Sequence, residues 1–143
     1  MKARIKRLDT TIALPAYKTG GAAAADLSAR IDVVIAPGTI GYVPLNVALE
    51  PPPGHFVLLA PRSSLHKRGL MSATAAAIID PDYCGNEDEY HAALHNFTDK
   101  EITVLKGERI MQIVFLPFTK VGWEETEDLG NGNRGGFGTT GVK

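Results

Sequence analysis

The sequence predicts an all-β fold, a barrel or sandwich with one short helix, and three observations carry that expectation. Fifteen glycines and nine prolines punctuate 143 residues at short intervals. Between them lie runs rich in Val, Ile, Leu and aromatic residues, spaced like successive strands and turns of small all-β domains. No segment sustains a 3.6-residue apolar period over the length of an amphipathic helix.

Residues 31–36, 40–49, 56–60, 101–105 and 109–118 read as strands. Residues 73–77, rich in alanine, run into Ile78-Ile79-Asp80-Pro81-Asp82-Tyr83, where Pro81 forces extended or turn geometry, so a strand leading into a hairpin turn is expected. Ser63-Ser64-Leu65-His66-Lys67-Arg68, closed by Gly69, reads as a short helix with a serine cap and a C-terminal glycine. Residues 1–127 form one β domain, and residues 128–143, with six glycines and little to bury, form a flexible arm. That arm still carries Arg134, Phe137, Thr139 and Thr140, the equipment of a lid that orders on a ligand.

Composition removes several function classes. Hydrophobic residues are 44% and charged residues 22%, ordinary globular values. Fifteen Lys and Arg against sixteen Asp and Glu leave a net charge of −1, so no basic excess invites a nucleic-acid backbone. No apolar run approaches the ~20 residues that span a bilayer, so no membrane partner is expected. A charged start (Lys2, Arg4, Lys6, Arg7) without an apolar stretch behind it, and a single cysteine, Cys84, point to the cytoplasm.

Several short constellations could carry chemistry. Gly136-Phe137-Gly138-Thr139-Thr140-Gly141 has the letters of a dinucleotide fingerprint but lacks the strand before it and the helix after it. His91 and His95 on a strand would stand about 13 Å apart, too far to share one ion. Asp80-Pro81-Asp82 is ordinary turn chemistry, or a carboxylate held at a hairpin to orient a water. Arg62-Ser63-Ser64 is simple helix capping, or an anion site built from a guanidinium, hydroxyls and backbone N–H groups.

Their order along the chain is more specific than any one of them. Ala23-Ala24-Ala25-Asp26-Leu27, Pro61-Arg62-Ser63-Ser64-Leu65 and the stretch from Ala77 through Asp80-Pro81-Asp82-Tyr83-Cys84-Gly85 come first. Gly107-Glu108-Arg109-Ile110-Met111-Gln112 and Arg134-Gly135-Gly136-Phe137-Gly138-Thr139-Thr140-Gly141 follow. Together these resemble the five motifs of the trimeric dUTP pyrophosphatases (dUTPases), over nearly the whole chain.

The resemblance implies a small jelly-roll-like β-barrel, a homotrimer with active sites between subunits, and Mg²⁺-dependent hydrolysis of dUTP to dUMP and pyrophosphate. That activity limits uracil in DNA and supplies dUMP for dTMP synthesis. By position, it implies that Asp80 activates the attacking water and that Tyr83 packs under the deoxyribose. The backbone from Thr74 through Ala77, Ile78 and Ile79 would read the uracil edge. Arg62, Ser63, Ser64 and Gln112 would bind phosphates, and Asp26 would hold magnesium through water. Phe137 would stack on uracil, while Arg134, Gly138 and Thr139 engage the phosphate chain. A dCTP deaminase-related enzyme, or a catalytically weak nucleotide- or protein-binding trimer, is the alternative reading.

The sequence departs from the family pattern at three places. Ala24-Ala25 replaces a Gly-aromatic or Gly-Leu pair. Thr74 stands where an Asn is usual and Ala77 where a Gly is usual, changes expected to weaken uracil binding or to alter the pocket slightly. Asn86-Glu87-Asp88 precede Glu89 as an acidic insertion, read as a solvated loop or as a second-metal or partner site.

Overall fold

Eleven short strands form the framework of this computed structural model, which describes residues 1–136. In chain order they are β1 (Arg4–Arg7), β2 (Ala25–Ser28), β3 (Val33–Ile35), β4 (Ile40–Pro44), β5 (Val47–Glu50) and β6 (His55–Pro61). After a four-residue 3₁₀ turn (Leu65–Arg68) come β7 (Leu70–Ser72), β8 (Ala77–Ile79), β9 (His91–Asn96), β10 (Ile102–Val104) and β11 (Arg109–Pro117). All pairings are antiparallel, in the orders β2-β11-β6-β8, β4-β9-β7, β1-β5 and β10-β3. Among the described residues no helix is long and apolar enough to cross a membrane.

Alternation builds these strands. Along β9 the residues Ala92, Leu94 and Asn96 are buried while His91, Ala93 and His95 face outward, the period-2 signature of a sheet with one covered face. Leu27, Ile35, Val43, Val57, Leu59, Leu70, Leu94 and Ile110 form one contiguous core. Each large aliphatic side chain contributes about 1.5–3 kcal/mol by leaving water. The buried amide of Asn96 is fully used: Nδ2 donates to Ile35 O (2.9 Å) and Lys100 O (2.7 Å), and Oδ1 accepts from the Thr98 backbone N–H (3.0 Å) and hydroxyl (2.8 Å).

Three sequence expectations change. The run 40–49 is two strands, because Asn46 takes a positive φ of 68° and breaks it. Residues 73–77 are not a strand: 73–76 form a tight turn closed by Ala75 N–H to Ser72 O (3.2 Å), and only Ala77 enters β8. The short helix is a 3₁₀ turn without a serine side-chain cap. Backbone bonds Leu65 N–H to Arg62 O (3.0 Å) and Lys67 N–H to Ser64 O (3.1 Å) already satisfy donors that a cap would serve. Gly69 closes it at φ 78°, where a Cβ would also collide with Thr98.

Candidate active site

Two clusters gather most of the residues singled out in the sequence, at opposite ends of β6. The first is charged. Asp26 on β2 stands opposite Gln112 on the adjacent β11. A register shift between Arg109 and Met111, a bulge in β11 against β2, lets Ile110 and Met111 both point into the core and brings Arg109 to Asp26. Arg62, just past β6, reaches the same carboxylate. Arg62 Nε lies 3.2 Å from Asp26 Oδ1, and Arg109 Nη1 donates to Asp26 Oδ2 at 2.8 Å. Arg62 Nη1 is tied to Arg109 O (3.1 Å), and Gln112 Nε2 to Pro61 O (3.1 Å). Ser63 and Ser64 are exposed beside them at the start of the 3₁₀ turn. The adjoining cleft is lined by Arg62, Ser64, Arg68 and Arg109, with Glu108 paired to Arg68.

The second cluster is a pocket lined by Leu59, Ala77, Ile78, Ile79, Asp80, Tyr83, Glu89, Tyr90 and His91. Tyr83 N–H donates to Asp80 O (3.1 Å), so Asp80-Pro81-Asp82-Tyr83 is a tight turn that leaves the Asp80 side chain exposed. The Tyr83 hydroxyl and His91 Nδ1 both donate to the carbonyl of Glu89, at 3.3 and 2.8 Å. Glu89 itself is buried. Its carboxylate accepts two bonds from Arg30 (2.8 and 2.9 Å) and one from the Asn46 N–H (2.8 Å). That contact raises the pKa of the Arg30 guanidinium above its ordinary value. Tyr90 is 1% exposed and its hydroxyl has no hydrogen-bond partner among the described residues. Burial first, and then the charges of Cys84 and Tyr83, push its phenol above the ordinary value, so Tyr90 is no proton acceptor.

The turn between β7 and β8 lies instead toward the Arg62 end of β6, where Ser72 and Ala75 line a groove with Pro61, Arg62 and Ser63. The two strands are consecutive, yet among the described residues β7 pairs only with β9 and β8 only with β6, so the two strands belong to different sheets. Thr74 is exposed at the tip of the turn, sharing a 3.2 Å hydrogen bond with the Ser72 hydroxyl. Ala75 holds a φ of 56° there, a left-handed conformation that costs a Cβ-bearing residue about 1–2 kcal/mol.

A single chain does not join the two clusters. Ile79 pairs with Val57, so Asp80 lies level with Phe56, six residues from Arg62 and about 20 Å along the strand. Arg134 is exposed in the extension that follows β11, a segment without regular structure after Phe118 edges against Phe56. Phe137, Gly138 and Thr139 lie outside the described residues. The insertion is a turn closed on itself: Gly85 N–H donates to Asp88 Oδ2 (2.6 Å), and Lys6 Nζ to Asn86 O (2.8 Å). Sequence reasoning assigned no role to Arg109, Glu89, Arg30 or Tyr90. Arg109 sits inside a quoted motif, but the bulge that turns it toward Asp26 leaves no mark in the letters.

A jelly-roll-like β framework thus carries an arginine-lined cleft toward one end of β6 and a carboxylate–tyrosine pocket toward the other. Residues 10–141 match the dUTPase family model, and the chain belongs to that family. It is 42% identical over 147 residues, covering both chains completely, to the deoxyuridine 5'-triphosphate nucleotidohydrolase of a Hydrogenobaculum species. The crystal structure of a Streptococcus mutans dUTPase aligns with a TM-score of 0.76 at 31% identity, over 83% of this chain and 98% of that one. A Staphylococcus bacteriophage 80alpha dUTPase variant, solved with dUpNHpp, aligns at 0.85 over 99% of each chain; at 21% identity it speaks for the fold alone.

Proposed function

We propose that this protein is a cytoplasmic dUTP diphosphatase that uses Mg²⁺ and works as a homotrimer, each active site assembled from more than one copy. The observation that carries the catalytic reading is the pocket in which Asp80 and Tyr83 adjoin β8, the strand that leads out of the turn at Thr74. A flat base fits between two strand edges that bond to different sheets, with the backbone from Thr74 to Ile79 facing its polar edge. The sugar rests on Tyr83, whose ring is fixed by Tyr90 and whose hydroxyl is fixed by Glu89 O; a 2′-hydroxyl would meet that ring.

The exposed carboxylate of Asp80 takes a proton from water as the water oxygen bonds to the α-phosphorus. The bond from that phosphorus to the bridging oxygen breaks, and pyrophosphate leaves with the electron pair. Arg62, Ser63, Ser64 and Gln112 receive the departing phosphates as preformed donors. Because Arg62 lies about 20 Å along the strand from Asp80 within one chain, the phosphate donors at a given Asp80 come from a neighbouring copy, which supports the trimeric reading. The arm with Arg134, Phe137, Gly138 and Thr139 closes over the nucleotide and excludes water.

The residues fit a cation that arrives with the nucleotide. Among the described residues no three carboxylate, histidine or cysteine side chains converge, and Mg²⁺ commonly takes one or two carboxylates together with phosphate oxygens and waters. Asp26 would hold it through water, and the bound ion neutralises charge on the triphosphate. Pyrophosphate release from dUTP, UTP, dTTP and dCTP, with and without Mg²⁺, tests the reading. Magnesium-dependent release from dUTP alone is expected. Release from none of them by a folded protein would turn the reading to a nucleotide-binding module, and release from several would remove the base and sugar assignments.

A further inference from the structure

The carboxylate expected to serve the cation is already engaged on both oxygens. Arg62 Nε holds Oδ1 and Arg109 Nη1 holds Oδ2, with the Asp26 side chain only 11% exposed. One acid between two guanidiniums is a locally cationic group, and Arg68 lines the cleft beside it, offset by Glu108. A bare divalent cation approaching Asp26 is repelled by the arginines and must also strip a charge-assisted hydrogen bond from one oxygen.

The two arginines differ in freedom. Arg62 is tied down through Nη1 to Arg109 O, and its side chain is 31% exposed. Arg109 makes its side-chain hydrogen bond to Asp26 alone among the described residues, is 42% exposed, and lies on the rim of the anion cleft. Guanidinium binds phosphate as well as it binds carboxylate, in the same forked geometry. A polyphosphate entering the cleft therefore offers Arg109 a new partner at little net cost and uncovers Asp26 Oδ2 for a water on a hydrated cation.

We propose that Arg109 is a phosphate-binding residue that keeps Asp26 closed until a polyphosphate arrives, so that the protein takes a divalent cation only together with one. The inference rests on the dUTP reading for the identity of the polyphosphate, and on the Asp26 geometry for the rest.

Mn²⁺ titration, followed by loss of the free-ion paramagnetic resonance signal, tests it on the full chain. Wild-type protein alone should take up no saturable Mn²⁺ in the micromolar range. Protein loaded with inorganic tripolyphosphate, or with a non-hydrolysable α,β-imido dUTP, should take up more than the same anion free in solution. Arg109→Gln should bind Mn²⁺ without any anion roughly tenfold more tightly than wild type, and should lose about tenfold or more in analogue affinity, the worth of one charged hydrogen bond. Arg109→Lys should fall between the two, and it replaces the Gln variant should that one not fold. Equal Mn²⁺ binding by wild type and variant, or unchanged analogue affinity in the variant, overturns the proposal. Tripolyphosphate opening the site while the dUTP analogue fails to bind wild type would keep the latch and sink the dUTP reading instead.

Discussion

Tyr83 lies against Tyr90 with ring centroids 6.2 Å apart and planes 24° from parallel. One ring is half-exposed in the pocket and the other is buried in the core, so the pair carries the rigidity of the barrel to the surface proposed to meet the sugar. Such a stack contributes about 0.5–1.5 kcal/mol beyond burial.

Tyr90→Phe keeps the stack and removes a buried hydroxyl that has no partner among the described residues, so the variant should be more stable by about 1 kcal/mol. The pH dependence gives a second readout. A folded-state phenol pKa raised above the ordinary 10 stabilises the protein fully below that value, and the contribution is lost as pH climbs past it. Thermal melts between neutral and strongly alkaline pH should show a shallower alkaline loss for the Phe variant than for wild type. Parallel curves would mean that the Tyr90 hydroxyl is not buried unpaired.

Tyr83→Ala removes the shelf on which the deoxyribose rests. The ratio of kcat/KM for dUTP over UTP should fall by about tenfold or more, since a steric exclusion is lost. Steady-state kinetics on both nucleotides check this, and an unchanged ratio would put sugar discrimination elsewhere.

Arg30→Ala strands the Glu89 carboxylate, which is buried and, among the described residues, otherwise bonded only to the Asn46 N–H. Breaking a buried pair costs about 3–5 kcal/mol; with Arg30 one-third exposed, about 2–3 kcal/mol is expected from urea unfolding. Because Glu89 O anchors the Tyr83 hydroxyl, discrimination against UTP should weaken in the same variant.

Asp80→Asn preserves shape and removes the proton acceptor. Binding of a non-hydrolysable dUTP analogue should stay within a few-fold of wild type while turnover falls by about 10²–10⁴. Turnover near wild type would exclude Asp80 as the base.

Thr74→Asn restores a single amide at a position now served by the Ser72–Thr74 hydroxyl pair. A lower KM for dUTP at unchanged kcat would show that the hydroxyls are the weaker reader. No change would mean that the pair already supplies both donor and acceptor.

Strands whose residues alternate or cluster by burial were legible. Phe56 to Ala60 and Arg109 to Phe118 sit within a residue or two of β6 and β11, because Val57, Leu59, Ile110, Met111 and Ile113 had to leave water together. β1 escaped because Arg-Ile-Lys-Arg has no apolar face; it is held by its ladder to β5, a partner more than forty residues away. The alanine run misled because a row of identical small side chains has no apolar period to read and alanine's own helical preference is overridden here, with the positive φ of Ala75 fixed by the turn around it. At the site, each motif named its chemical groups, but the division between two ends of β6 follows from strand register, which no single motif encodes.

That division leads to the decisive measurement. Asp80→Asn and Arg62→Ala are each expected to be inactive, and the two chains can be co-expressed in equal amounts and assayed for pyrophosphate release from dUTP. If Asp80 of one copy works with Arg62 of another, mixed assemblies rebuild intact sites and should recover roughly a quarter of wild-type activity, as random mixing around a closed ring requires. Activity that stays at the level of the separate variants, in assemblies shown to contain both chains, would contradict a site shared between copies.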